Sequence, residues 1–285
     1  MPKRGLVLSG GGAKGAFQVG VLEYLYQKGK LDFDVVCGVS VGALNATLVA
    51  QGEFERLKEL WLGIRRNEDI YKKYGWLSVI LGKKNSLNDN KPLKELIDKY
   101  VDKTKILENF TDKGKILKIG VVSFTHGQYK AIGPTHSSFE QMLLASASIP
   151  IMFKPLNISA DDLNVVDGGV RNITPLKDAI DAKADELVVV LASPRQVQPG
   201  KRDYGNLLQV ITRTFDILAN EVYLTDIENC EWYNAHLKDD GEHRYIDLKV
   251  VEPDEYFMDT LEFKPEKIRQ AIEIGKEKAA EVFGY

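Results

Sequence analysis

The sequence predicts an α/β fold with a mainly parallel central sheet that helices cover on both faces. Short apolar runs with the length of buried strands alternate along the chain with segments of helical periodicity. Twice near the N-terminus a strand passes through a glycine turn into a helix, and strands joined through helices pair in parallel. Strands of this kind are buried on both faces, which requires a helical layer on each side of the sheet.

The two N-terminal units have the same plan. The first comprises an apolar strand at 5–9, a glycine loop, and a helix at about 14–28. The second comprises an apolar strand at 33–37, a turn centred on Ser40, and a small-residue helix at 43–51. This plan places the second turn at the carboxyl end of the sheet.

The remaining elements continue the alternation of strands and helices. Further helices are predicted at 54–64, 93–100, after Thr174-Pro175, at 207–237 and at 265–283, and further strands at 116–124, 128–132, 163–166, 186–192 and 245–251. The polar segment 195–204 is short enough to be a surface loop. We therefore expect one domain over 1–285, with 205–285 as a C-terminal elaboration.

Composition excludes some classes of protein. The 285 residues are 44% hydrophobic and 28% charged, as in ordinary soluble globular proteins, and the net charge is -3. This net charge provides no excess of positive charge for binding nucleic acid, so a dedicated nucleic-acid binder is disfavoured. Cys37 lies in an apolar run far from Cys230, which predicts a buried free thiol.

No segment predicts membrane insertion. The N-terminus is basic, but the apolar run after it ends after Leu8, too short for the core of a signal peptide. No stretch approaches the roughly 20 apolar residues that span a bilayer. We therefore expect a cytoplasmic protein whose contact with membranes, if any, is peripheral.

The segment 70–87 is the candidate for such contact. It combines apolar residues with flanking lysines: Tyr71, Tyr74, Trp76, Leu77, Val79, Ile80 and Leu81 with Lys72, Lys73, Lys83 and Lys84. This composition suits an interfacial segment on an anionic membrane. The alternative is an irregular connection that packs its apolar side on the core.

Ser40 is the candidate nucleophile. It lies at the centre of Gly38-Val39-Ser40-Val41-Gly42, between a predicted strand and a predicted helix, which is the setting of a nucleophile elbow. The sharp turn strains the backbone of the serine, and Gly38 and Gly42 let neighbouring chain pass close by.

The glycine loop at 10–15 allows two interpretations. Gly10-Gly11-Gly12-Ala13-Lys14-Gly15 matches the dinucleotide fingerprint, but an acidic residue should then follow the second strand, where this chain has Ser40. In a hydrolase, the backbone N–H groups of Gly11 and Gly12 would instead donate to an oxyanion. The role of Lys14 stays open.

Asp167 is a better candidate for the base than any of the four histidines. His126, His136, His236 and His243 all lie in settings typical of surface histidines. Asp167 ends an apolar strand and is followed by Gly168-Gly169, which places its carboxylate at the same sheet edge as Ser40. Burial would have to raise its proton affinity for it to act as a base. A simple strand-ending turn is the alternative for this tripeptide alone.

Three motifs in order, G-G-G-A-K-G at 10–15, G-V-S-V-G at 38–42 and D-G-G at 167–169, resemble those of the patatin-like phospholipase family. The resemblance extends over 5–192 and includes 145–150, A-S-A-S-I-P; it is thinner across 205–285. It implies a three-layer α/β/α sandwich. Ser9 and Lys14 depart from the aspartate and arginine that many members have there.

The resemblance also implies an activity and its residues. It assigns Ser40 and Asp167 as a catalytic dyad and Gly11, Gly12 and Ala13 as oxyanion-hole donors, with neither metal nor cofactor. The implied reaction is phospholipase A-type hydrolysis of lipid acyl esters through an acyl-serine. A thioesterase or a general carboxylesterase on the same dyad, and a noncatalytic dinucleotide-binding module, are the alternatives.

Overall fold

The computed structural model describes residues 2–75, 84–196, 203–205, 207–237 and 244–284. Five parallel strands form the body of a seven-stranded sheet, in the order β5-β2-β1-β8-β9. Two further strands, β6 and β7, pair antiparallel with β5. The strands of this sheet are β1 Arg4–Leu8, β2 Val35–Val39, β5 Ile116–Ser123, β6 Gln128–Ile132, β7 Val165–Asp167, β8 Glu186–Val190 and β9 Asp247–Val251, while β3 Lys72–Lys73 and β4 Asn88–Asp89 form a separate pair.

Helices account for most of the remaining described chain. They are α1 Gly15–Gln27, α2 Val41–Gln51, α3 Phe54–Gly63, α4 Lys91–Tyr100, α5 Lys103–Asn109, α6 Phe139–Ser146, α7 Leu176–Asp181, α8 Leu207–His236 and α9 Pro265–Phe283. Single 3-10 turns lie at Gly12–Lys14, Asn67–Asp69, Thr111–Lys113 and Gly168–Val170.

The central sheet separates two apolar layers. Successive residues of a strand point to opposite faces, so Leu6 and Leu8 of β1 join the larger core beneath α1, α2, α3 and α9. Val7 of β1 and Cys37 of β2 face the other way and pack with residues of α7 and α8. Helices therefore cover both faces, and the predicted α/β/α sandwich with a mainly parallel sheet is confirmed.

Most predicted elements are present with shifted ends. The second strand occupies Val35–Val39 and not 33–37, because Gly38 and Val39 continue the pairing with β5. The strand predicted at 163–166 occupies Val165–Asp167. Both cysteines are free and buried, as the sequence predicted for Cys37.

Candidate active site

Two strand ends meet head to head on β5. Val39, the last residue of β2, pairs with Gly120, and Asp167, the last residue of β7, pairs with the next residue, Val121. Because β2 runs parallel to β5 and β7 runs antiparallel to it, the carboxyl ends of β2 and β7 face each other. The structure thus brings Asp167 to Ser40, which follows β2 directly.

The backbone at Ser40 is strained in the way that an elbow requires. Its φ of 57° and ψ of -128° lie outside the regions that side-chain-bearing residues prefer, and such a conformation costs on the order of 1–3 kcal/mol. The turn is possible because Gly42 has no side chain. A Cβ at Gly42 would lie 2.2 Å from the carbonyl oxygen of Leu8. The helix α2 begins at Val41, so its positive end lies beside the serine.

The end of α6 holds both residues by their backbones. The N–H of Ser40 donates to Oγ of Ser146 at 3.0 Å, and the hydroxyl of Ser146 donates to the carbonyl of Gly120 at 2.7 Å. The N–H of Asp167 donates to the carbonyl of Ser148 at 3.1 Å. The segment 145–150 therefore fixes the elbow and the aspartate relative to each other. Its sequence suggested a family resemblance but gave no signal for this task.

The Asp167 carboxyl is buried and only partly satisfied. It is 3% exposed, and its Oδ1 accepts the N–H of Gly169 at 2.7 Å. The hydroxyl of Ser40 lies close enough to Asp167 to lower the pKa of its carboxyl as a hydrogen-bond donor. Even so, Oδ2 of Asp167 has no partner in full hydrogen-bond geometry. Burial raises the pKa of Asp167 from 3.8 to about 7, against the opposing effects of Ser40 and Gly169. A carboxylate with this pKa is a far stronger base than an ordinary aspartate.

The glycine loop lies against Ser40. A Cβ built on Gly10 would be 3.2 Å from Cβ of Ser40, and Gly12 lines the same cavity as the serine. Among the described residues, the N–H groups of Gly11 and Gly12 have no hydrogen-bond partner. The N–H of Ala13 donates to the carbonyl of Thr260 at 2.8 Å. The N–H of Ala13, the third predicted oxyanion donor, is therefore already engaged, whereas those of Gly11 and Gly12 are available to a ligand.

The carbonyl of Thr260 can lie close to Gly12 because Gly12 lacks a side chain. Its φ is +58°, and a Cβ there would lie 2.2 Å from the carbonyl oxygen of Thr260. The other predicted motif glycines form the backbone around Ser40 and Asp167. They are Gly10 and Gly15 at the two ends of the loop, Gly38 in β2, and Gly168 and Gly169 in the turn after β7.

Lys14 is a buried link between the glycine loop and α8. Its side chain is 2% exposed, and its Nζ donates to Asp216 at 2.8 Å and to Ser193 at 3.2 Å. Its ammonium also lies 5.1 Å from the centre of the Tyr256 ring. The hydroxyl of Thr260 donates to the same Asp216 oxygen at 3.2 Å. Asp216 and Thr260 thus bind the loop at two adjacent residues, a role that the sequence left open.

The described histidines have other partners. His126 is exposed in the turn between β5 and β6. His136 accepts the N–H of Ser138, and the ring of His236 approaches a carbonyl of its own helix. His243 lies outside the described residues. The carboxylate of Asp167 is therefore the titratable side chain that the described structure places at Ser40.

Other ligand chemistries find less support at this edge. Asp32 and Asp34 precede β2, and Asp34 accepts the N–H of Arg4 at the opposite end of the strands. The acid that a dinucleotide fold needs at the end of β2 is thus replaced by Ser40. Across the described ranges, no three His, Cys, Asp or Glu side chains converge as ligands for a metal ion.

An apolar cavity extends from Ser40 between α2, α3 and α4. Its volume is about 130 Å³. Its lining is almost wholly apolar and includes Val41, Leu44 and Leu48 of α2, Leu57, Leu60 and Ile64 of α3, and Leu93, Leu96 and Ile97 of α4.

The buried polar side chains in this lining, those of Asn45, Trp61 and Tyr71, already have partners. Asn45 donates to the side chain of Gln18 and accepts from the indole N–H of Trp61, and the hydroxyl of Tyr71 donates to the carbonyl of Leu261. Away from Ser40, the cavity therefore suits a ligand that needs no hydrogen bonds.

The segment 70–87 is only partly described, because 76–83 lies outside the described residues. Tyr71 is buried and lines the apolar cavity, which fits packing on the core, whereas Lys72 and Lys73 are exposed.

In the part of the chain that the structure describes, no helix combines the length and apolar content that crossing a membrane requires.

Comparison with known proteins identifies the family of the chain. The family model for patatin-like phospholipases matches residues 6–180. The chain is 26% identical over 237 residues to the uncharacterized protein YqhO of Bacillus subtilis, covering 75% of this chain and 79% of that protein. It is 35% identical over 83 residues to lysophospholipase nte1 of Aspergillus terreus, covering 29% of this chain but 4% of that protein.

Among solved structures, VipD from Legionella pneumophila matches with a TM-score of 0.55 at 17% identity, covering 100% of this chain and 67% of that chain. This likeness shows the fold. Because the family model covers more than half of the sequence, the chain belongs to the patatin-like phospholipase family.

Proposed function

We propose that this protein is a serine acyl hydrolase that cleaves fatty acyl esters of lipids, in the manner of a phospholipase A, with Ser40 as nucleophile and Asp167 as base. One observation carries the proposal. The strained Ser40 stands between a buried aspartate with an unsatisfied oxygen and a cavity whose lining is almost wholly apolar.

In the first half of the proposed reaction, Asp167 removes the hydroxyl proton of Ser40 while Oγ attacks the ester carbonyl carbon. The carbonyl oxygen becomes an oxyanion that accepts hydrogen bonds from the N–H groups of Gly11 and Gly12, helped by the positive end of α2. As the tetrahedral intermediate collapses, Asp167 returns the proton to the departing alcohol. The products are the free alcohol and an acyl-serine.

In the second half, Asp167 takes a proton from a water molecule that attacks the acyl-serine. The same glycine-loop N–H groups receive the second oxyanion. Collapse returns the proton to Oγ of Ser40 and releases the fatty acid. The pKa of about 7 suits this cycle, because near neutral pH the carboxyl both accepts and returns a proton readily.

The cavity and the family support a lipid as the substrate. A long alkyl chain buries apolar surface in the cavity without leaving polar groups unsatisfied, at roughly 0.8 kcal/mol per methylene. The match with lysophospholipase nte1, although it covers a small part of that protein, points in the same direction. The dyad itself does not choose the leaving group. A panel of phospholipids, glycerides and acyl thioesters therefore distinguishes lipid hydrolysis from thioesterase or general esterase activity.

The test is fatty acid release from phospholipid in mixed micelles. We expect Ser40→Ala and Asp167→Asn to abolish release, whereas the matched exposed substitutions Ser137→Ala and Asp161→Asn retain it. Near-normal release by either site variant would refute the proposed dyad. Selective cleavage of thioesters by the native protein would refute the proposed substrate class.

A further inference from the structure

Away from Ser40, the apolar cavity extends to the ends of α2 and α4, and the residues that line it there are called its floor. Three of its lining residues, Leu48 at the end of α2 and Tyr100 and Val101 at the end of α4, lie together there. Gln51, at the end of α2, holds the end of α4 in place. Its amide donates to the carbonyl of Tyr100 at 3.0 Å, and its Oε1 accepts the N–H of Asp102 at 2.9 Å. Gln51 is itself buried, so the ends of α2 and α4 are held together inside the protein.

The distance from Ser40 to this floor follows from the geometry of α2. Ser40 and Leu48 are eight residues apart along the helix, which at 1.5 Å per residue is about 12 Å. A fully extended polypeptide advances at most about 3.6 Å over the three backbone bonds of a residue, or roughly 1.2 Å per bond, and we take the same advance per bond for an extended acyl chain. An extended acyl chain attached at Ser40 therefore reaches the floor after about ten bonds.

The floor is thin on one side. Tyr100, together with Leu60, Ile64 and Leu96, lines both the apolar cavity and a surface groove between α3 and α4, so these side chains lie between the two spaces. The ring of Tyr100 faces the solvent-side cations of Arg56 and Lys99, at 5.7 and 4.7 Å from the ring centre. Removing the side chain of Tyr100 would join the end of the cavity to the groove, whereas enlarging Leu48 would shorten the cavity.

From this geometry we infer that the floor of Leu48, Tyr100 and Val101 sets the acyl-chain preference of the enzyme at about ten carbons. The inference rests on the proposed function, because it takes the cavity as the acyl site of Ser40. A longer chain must fold back or displace the floor. One methylene that does not fit a hydrophobic pocket changes kcat/KM by roughly tenfold or more.

The experiment measures kcat/KM for the p-nitrophenyl esters of butyrate, decanoate and palmitate in detergent micelles. We expect the native protein to prefer decanoate to palmitate by roughly tenfold. We expect Tyr100→Ala to remove this preference, and Leu48→Trp to move the optimum from decanoate toward butyrate. Tyr245→Ala, which removes an exposed tyrosine, is the matched control and should keep the native profile.

Two failures are distinguishable. If no ester is cleaved in a Ser40-dependent way, the proposed function is wrong. If the esters are cleaved but neither Tyr100→Ala nor Leu48→Trp changes the profile, the inference about the floor is wrong and the proposed function stands. Urea unfolding of each variant identifies a misfolded protein, and the other variant then decides the question.

Discussion

Replacing Asp167 by asparagine should remove the proposed base and, above neutral pH, stabilise the fold. Asparagine has nearly the same shape, and its carbonyl oxygen can still accept the N–H of Gly169, which lies 2.7 Å from Oδ1 in the native protein. The substitution removes the negative charge that the native protein must bury. The pair of effects, lost activity with gained stability, is typical of a residue kept for chemistry.

The size of the effect follows from the pKa of Asp167. The carboxyl titrates near 3.8 when unperturbed and at about 7 in the folded protein. Between these values the folded state keeps a proton that the unfolded state has released, so stability falls as pH rises through this interval and is constant above it. The slope is about 1.4 kcal/mol per pH unit. From pH 5 to pH 7 the native protein therefore loses roughly 2–3 kcal/mol from this group.

Asparagine does not titrate, so the variant avoids this loss. The assay is urea unfolding followed by tryptophan fluorescence at pH 5.0 and pH 8.5. We expect the stability of Asp167→Asn relative to the native protein to increase by roughly 2–3 kcal/mol between these two conditions.

Asp161→Asn, at an exposed position, is the matched control and should change stability by less than about 0.5 kcal/mol at both pH values. A stability difference for Asp167→Asn that is the same at pH 5.0 and pH 8.5 would show that burial does not raise the pKa of this carboxyl. The argument for Asp167 as a base would then fail.

Three further predictions concern the same site. Activity should rise with pH through about 7, because Asp167 must be ionised to act as a base; a pH profile that is flat from 5.5 to 8.5 would contradict this. Ser146→Ala should lower the free energy of unfolding by about 1–3 kcal/mol and reduce kcat, because it removes the hydrogen-bond partner of the buried N–H of Ser40 and a donor to the carbonyl of Gly120; the exposed Ser137→Ala should do neither. Lys14→Met should destabilise the fold by about 1–3 kcal/mol by leaving the partly exposed Asp216 without its cation, and a change below about 0.5 kcal/mol in thermal or urea unfolding would contradict a structural role.

Local sequence signals predicted the elements that carry Ser40. Alternating apolar runs and glycine turns predicted β1, β2 and the helices after them, because these signals act over a few residues. The boundary of β2 was missed by two residues, since its last two residues are held by pairing with β5 and not by apolar character. The final helix, Pro265–Phe283, begins and ends where proline and the amphipathic pattern predicted.

Long-range pairing was beyond these signals. The meeting of Asp167 with the elbow depends on β7 pairing antiparallel to β5 in one particular register, and no local pattern fixes a register between strands so distant in sequence. The same holds for Ser146, whose bonds to Ser40 and Gly120 link three separate segments. The sequence did not predict α5 either, although Asp102 accepts from the N–H groups of its first turn as an N-cap residue should.

The most direct test of the central claim is labelling with a fluorophosphonate, which reacts with activated serines. The site of the adduct is identified by peptide mass spectrometry. We expect one covalent adduct on Ser40 in the native protein, and none in Ser40→Ala or in Asp167→Asn, whose fold the unfolding experiment checks independently. An adduct on another serine, or undiminished labelling of Ser40 in Asp167→Asn, would contradict a nucleophile at Ser40 activated by Asp167.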